Sequence, residues 1–255
     1  MMDGSYTYIK DRGIWVRVNS DGIGHVVKGP VTYTEYLYHK KFHNRFPDGC
    51  LEPFVVMNDD GQVYLKTELI PTGDLFDYIE LMTSKNPLYA YTCWDSKMAI
   101  IVQMVDIVYN LEKCGILHLD LSLENFVLGK KMAVIDFGMS KKAAEYKDYT
   151  PCGKPGYIAP ELQSIPLSDY NPFGIDAYAL GICVFYIVFG IAPYEHIGDN
   201  LFRTLVDRGL SGLYKELGID TTKIPVVFLQ LLDGLIRHHK SRCSMTLCTT
   251  LLKSM

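Results

Sequence analysis

The stretch HLDLSLENF, residues 118–126, places Asp120, Ser122, Glu124 and Asn125 within six positions, directly after a long apolar segment. Glu124 and Asn125 are poor strand formers. The stretch therefore reads as a loop that presents polar groups. Eleven residues past Asn125 stands Asp136-Phe137-Gly138. An acidic loop, a short apolar strand and a second aspartate beside a glycine make a place to hold a cation and a charged substrate.

Working outward, the 255 residues are 48% hydrophobic and 21% charged, with a formal net charge of −4. That is enough for one large domain or two small lobes. No basic tail or stripe points to nucleic acid. The seven cysteines form no C-x-x-C pair and read as reduced thiols. No apolar signal segment stands at the N-terminus, so a cytoplasmic or nuclear location is expected. The charge-free run AYALGICVFYIVFGIAPY (177–194) carries Gly181, Gly190 and Pro193. It reads as a buried core helix rather than a membrane span, so no membrane association is expected.

The first third reads as strands. IWVRV (14–18) and GHVVK (24–28) flank an Asp-Gly turn signal, and PFVVM (53–57) and QVYLKTEL (62–69) flank another. TYTEYLYHKKFH (32–43) has helical character. From residue 73 helices dominate: 73–82, 94–115, then about 174–189, 199–208, 224–238 and 244–253. The expected class is α+β, with a small β-rich lobe (about 1–67), a hinge (about 68–74) and a helical lobe (about 75–255).

The series HLDLSLEN, DFG and PGYIAPEL, followed by GIDAYALGICVFYIVFGIAPY, resembles the eukaryotic protein kinase family across nearly the whole chain. The resemblance implies a bilobal kinase-like fold, ATP and Mg²⁺ as cofactors, and a protein substrate. It makes Asp120 the base for an incoming hydroxyl and Asn125 and Asp136 the metal ligands, since Mg²⁺ prefers hard oxygens. Lys28 stands at the position of the strand lysine that holds the phosphates, and Glu35 at that of its helix partner. The helix should lack its usual first turns. Thr67 becomes the gatekeeper, and the backbone of Glu68 and Ile70 the adenine edge contacts. Val16 or Val18 with Val26 would cover the base, and Val127 would support it from below. His118 should pack under Phe137, Glu161 should pair with Arg242, and Asp176 should cap the catalytic-loop backbone.

Departures from the family pattern shape the expectations. The glycine-rich loop keeps only Gly13 in IKDRGIWVRV, so weaker nucleotide affinity or a loop braced by Trp15 is expected. Leu119 replaces the arginine before the catalytic aspartate. Thr150 stands where activation-loop phosphate would be added, but Lys141 is its one clear basic partner, so no dependence on that phosphate is expected. Ser122 replaces the lysine that touches the γ-phosphate, while GKPGY places Lys154 where the family has threonine. Lys154 is expected to restore the missing ammonium from the other side. His239 and Cys243 have metal-capable spacing, but no third or fourth ligand is evident.

Three readings follow. The first is a monomeric protein kinase acting on serine or threonine hydroxyls. The second is a pseudokinase serving as a binding or inhibitory module. The third, a kinase for a non-protein hydroxyl, sits poorly with the intact APEL segment.

Overall fold

The computed structural model describes residues 6–10, 13–18, 24–147, 150–163 and 171–253, with the backbone alone at 163. The Asp-Gly turn expected at 19–23 lies outside them. The strands flanking it do pair: β2 (Ile14–Val18) runs antiparallel to β3 (Gly24–Lys28), with Val16 opposite Val26. A strand not expected from the sequence, β1 (Thr7–Ile9), adds to β2. The hairpin of β4 (Phe54–Met57) and β5 (Val63–Glu68) completes a five-stranded antiparallel sheet in the order β1-β2-β3-β5-β4.

Helix α1 (Tyr33–Arg45) follows β3. Thr32 caps it by accepting the Glu35 backbone N–H at 3.1 Å, satisfying one of the donors that a helix start leaves unpaired. Glu35 thus lies in the first turn. Asp74 caps α2 (Leu75–Lys85) in the same way, accepting from Asp77 N at 2.9 Å.

The helical lobe packs around α3 (Trp94–Lys113) and α4 (Phe173–Phe189). From Ile175 to Phe189 every residue of α4 except Tyr186 is buried. A helix apolar on all sides belongs inside a core, and each large side chain buried there contributes roughly 1.5–3 kcal/mol. The segment that could have passed for a membrane span is this helix. Among the described residues no helix is long and apolar enough to cross a membrane.

A buried charge sits near each end of α4. Asp176 lies in the first turn of α4. At the other end, the buried ammonium of Lys97 on α3 donates to the carbonyls of Val188 (2.7 Å) and Tyr89 (2.5 Å). It also lies 4.0 Å from the Tyr89 ring and 4.5 Å from the Trp94 ring. Burial lowers its pKa to about 8.

The remaining helices are α5 (Asn200–Glu216), α6 (Val226–Ile236) and α7 (Met245–Lys253). Helix α5 runs on past the expected end at 208. It breaks at Gly209 (φ 64°, ψ −169°), and the buried Leu210, Leu213 and Tyr214 then continue its apolar face. Short strands β6 (Ile116–Leu117), β7 (Phe126–Leu128), β8 (Met132–Val134) and β9 (Lys141–Lys142) pair as β6 with β9 and β7 with β8. They frame the polar loop and the DFG segment.

Candidate active site

Backbone strain marks both halves of the polar site. Leu119 (φ 67°) and Asp136 (φ 66°) occupy the left-handed region, which costs a side-chain-bearing residue about 1–3 kcal/mol. Buried partners hold the conformation. Asp176 accepts the backbone N–H groups of His118 (2.7 Å) and Leu119 (2.9 Å), the capping role expected of it. Burial raises the pKa of that carboxyl to about 6.

Ile135 ties the loop to the DFG segment. Its N–H donates to the Asn125 carbonyl at 2.9 Å, and its own carbonyl accepts from His118 Nε2 at 3.0 Å. A carbonyl can only accept, so the His118 proton sits on Nε2. Burial lowers the His118 pKa to about 4, which leaves the ring neutral. The His118 ring packs on Phe137 at 5.1 Å, as expected. The sequence reading missed the other side of Phe137, where His39 stacks at 4.9 Å and Phe42 lies at 5.8 Å. His39 stands one turn after Glu35, so helical spacing could have pointed to it. Burial lowers its pKa to about 4 as well.

Above this floor, Lys28 Nζ donates to Asp136 Oδ1 at 2.6 Å and to Glu35 Oε1 at 2.8 Å. Burial opposes the ammonium, but Asp136 and then Glu35 outweigh it and raise its pKa. For Asp136 burial again opposes the charge, and Lys28 prevails to hold the pKa low. Glu35, only 6% exposed, has its pKa raised by burial despite the lysine. Asp120 is raised too, by burial and then by the Asp136 charge. A carboxylate so placed is a better proton acceptor than a free one.

Asn125 donates through Nδ2 to the Asp120 carbonyl at 2.7 Å, which fixes the amide and leaves Oδ1 as an oxygen donor. Among the described residues no group of three or more His, Cys, Asp or Glu could cage a metal. One carboxylate and one amide oxygen suit Mg²⁺, which takes the rest of its shell from water and phosphate oxygens. Asn125 and Asp136 fit that ion.

Sheet register places the expected roof. Cross-strand partners share a face, so Val16, Val26 and Thr67 form one row on the face that carries Lys28. Val18 lies opposite Gly24 at the end of β2 and is 59% exposed, so it stands at the rim. Trp15 points to the opposite face, against Tyr8 (4.9 Å) and Tyr64 (5.8 Å). It braces the outer face of the sheet, while the glycine loop it was expected to brace falls partly outside the described residues. That loop is the four-residue connection 10–13 between β1 and β2, whose residues 11–12 lie outside the described set.

At the hinge, Leu69 N–H bonds the Gly24 carbonyl at 2.9 Å. Antiparallel alternation then turns the Glu68 backbone groups away from β3. The Ile70 carbonyl closes a turn by accepting Gly73 N–H at 3.2 Å. Val127 on β7 is held against the hinge through an isolated bridge with Asp74.

Lys154 departs from expectation. Its backbone N–H reaches Asp120, but its ammonium pairs with Glu124. Burial opposes the Glu124 charge, and Lys154 lowers the pKa below the usual value. Lys154 does meet the loop of Ser122, but through Glu124 rather than as an ammonium facing Asp120. Gly153 explains the close approach: a Cβ there would lie 2.8 Å from the Leu119 carbonyl oxygen. Farther down, Glu161 and Arg242 form the expected pair, 2% and 1% exposed, with Arg242 also donating to the Gly174 carbonyl at 2.7 Å. His239 and Cys243 belong to no candidate metal group among the described residues.

Comparison with known proteins agrees with this geometry. The sequence model of one family, described as the protein kinase domain, matches residues 32–252. The human calcium/calmodulin-dependent protein kinase type 1B is 33% identical over 159 residues, which are 59% of this chain and 43% of that protein. The serine/threonine-protein kinase PLK4 of Nematostella vectensis is 32% identical over 152 residues, 57% of this chain and 14% of its own. Human cGMP-dependent protein kinase 2 is 27% identical over 184 residues, 69% of this chain and 22% of its own. The chain thus spans less than half the length of these relatives.

Proposed function

Because the chain belongs to the protein kinase domain family, we propose that it transfers the γ-phosphate of ATP to serine or threonine hydroxyls of a protein substrate. One observation carries the reading: a single ammonium, Lys28, contacts carboxylates from α1 and from the DFG segment at 2.8 and 2.6 Å. Asp120 and Asn125 lie on the adjoining loop. Lys28 falls outside the family match, so its role rests on this geometry.

Phosphoryl transfer asks a protein mainly for position and charge. Lys28 holds the α and β phosphates, and Glu35 keeps it in place. Asp136 and Asn125 would hold Mg²⁺, which when bound would neutralise phosphate charge. Asp120 accepts the hydroxyl proton. Val16, Val26 and Val127 enclose the adenine, with Val18 at its edge. Thr67 borders the space behind it, and the backbone of Glu68 and Ile70 meets its edge. Lys154 positions Asp120 through its N–H and anchors the following segment through Glu124. The free thiols support a reducing compartment, cytoplasm or nucleus.

The short β1–β2 connection with its single glycine favours the second reading, a pseudokinase, because little glycine backbone is available to approach phosphates. Thermal-shift titration with ATP, with and without Mg²⁺, separates the two when paired with a phosphotransfer assay. The kinase reading expects Mg²⁺-dependent stabilisation and turnover. Asp136→Asn should lower turnover by about 10²–10³-fold or more. Stabilisation without turnover assigns the chain to the pseudokinases, and no stabilisation by ATP overturns both nucleotide roles.

A further inference from the structure

Strand β9 opens the activation segment and is two residues long, with Lys142 opposite Ile116 of β6. The next N–H, that of Ala143, bonds the Gly115 carbonyl at 3.0 Å. Alternation along an antiparallel strand therefore turns the Lys142 backbone groups away from β6. Two tyrosines meet them there. The Tyr38 hydroxyl accepts the Lys142 N–H at 3.1 Å, and the Lys142 carbonyl accepts the Tyr146 N–H at 3.1 Å.

Each tyrosine leads back to the cleft. Tyr38 lies on α1 one turn after Glu35, on the same side of the helix. One turn further, Lys41 donates to the Cys114 carbonyl at 2.8 Å, a second tie from α1 to the chain that enters β6. Tyr146 is 4% exposed. Its hydroxyl donates to the Thr150 carbonyl at 3.3 Å and lies 3.8 Å from Cys152 Sγ. The next residue is Gly153, which packs on the Leu119 carbonyl, and after it comes Lys154, whose N–H reaches Asp120. Leu119 is itself buried, and the Lys141 ammonium lies over the Tyr146 ring at 5.3 Å. The groups that could have received a phosphate are an apolar side chain and a cation set against this ring.

We propose that Tyr38 and Tyr146 are positioning residues that clamp the Lys142 peptide, holding Glu35 at Lys28 and the Lys154 N–H at Asp120 with no phosphate on the activation segment. The inference rests on the kinase reading. Tyr38 sets the α1 side of the cleft, and Tyr146 sets the segment beside the base. A buried ring fixed through its N–H and its hydroxyl does by packing what a phosphate does by charge.

Hydrogen exchange of the phosphatase-treated full chain, without nucleotide, reads the clamp directly. Tyr38→Phe should speed exchange of the Lys142 amide by about threefold or more, and Tyr146→Phe that of the Lys154 amide, each through one lost hydrogen bond. Both variants keep the ring, so both should fold. Kinetics separates positioning from mere stability. Tyr146→Phe should lower kcat about threefold or more and leave the KM for ATP within about twofold, whereas Tyr38→Phe should raise that KM about threefold. Phosphatase treatment of the wild type should change kcat less than twofold. Unmoved exchange in either variant, a lowered Tm with unmoved kinetic constants, or a tenfold loss of kcat on phosphatase treatment overturns the proposal. The exchange arm needs no turnover, so a failed clamp and a failed kinase reading give different results.

Discussion

Asp120, Asn125 and Asp136 rest on backbone that buried groups hold from beneath, whereas Lys28, Val16 and Val26 rest on a sheet with its outer face half open to solvent. The lower wall has Asp176, His118, His39 and Phe137 packed under it, all buried or in contact with buried partners. The upper wall reaches the lower one through Lys28, a residue 35% exposed, and its two carboxylates. The family match begins at residue 32, after β3, and so covers the lower wall together with α1, β4 and β5. Strained backbone needs a surrounding core that over-determines it. A strand lysine needs only correct register, which many sequences can supply. The lower wall is therefore where residue identity is most constrained.

That contrast can be broken from below. Arg242→Ala leaves Glu161 buried without its partner, and removing one member of a buried pair costs about 3–5 kcal/mol. Thermal or urea unfolding should show a loss of that size. A loss below about 1 kcal/mol would mean that the lower wall does not depend on this anchor.

An intermediate effect comes from acid. His39 and His118 have pKa values lowered from 6.5 to about 4. Between those values the unfolded chain binds the protons, so stability falls as pH drops through the window. Asp176, raised from 3.8 to about 6, acts oppositely: its folded form takes up a proton first and returns stability below pH 6. A variant comparison isolates one imidazole. His39→Leu should reduce the fall in Tm between pH 7 and pH 5 relative to wild type. An unchanged fall would show that the ring beside Phe137 does not titrate as its burial requires.

The smallest effect tests the upper wall. Gly13 has φ 61°, and among the described residues a Cβ there would meet no atom within 4 Å. Gly13→Ala should cost about 1–2 kcal/mol of backbone strain and nothing from packing. The KM for ATP should change less than twofold. A larger rise would show that this glycine brings backbone to the phosphates.

The same division explains what the sequence made legible. Asp120, Asn125 and Asp136 could be read because motifs in series identify them. Glu161 with Arg242, and Asp176 with the loop, followed from that framework. Lys28 and Glu35 were readable by spacing, but their convergence with Asp136 depends on the turn into α1 at Thr32. Strand β1 is three residues of mixed character, too short for periodicity to announce. The face of Trp15 depends on strand register, which single-sequence alternation did not resolve. The pairing of Lys154 with Glu124 crosses 30 positions and arises because Gly153 lets two loops touch. Helix α5 extends past its expected end at 208 because the apolar spacing resumes after the break at Gly209.

Helix α4 carries a buried acid at its amino end and receives a buried ammonium at its carboxyl end. Both charges complement the helix dipole, and both are bonded to neighbouring elements: Asp176 to the catalytic loop, Lys97 to the turn at Tyr89. Sliding or rotating this helix would strip a charge of its partners inside the core. The rod is thereby pinned as a stationary axle.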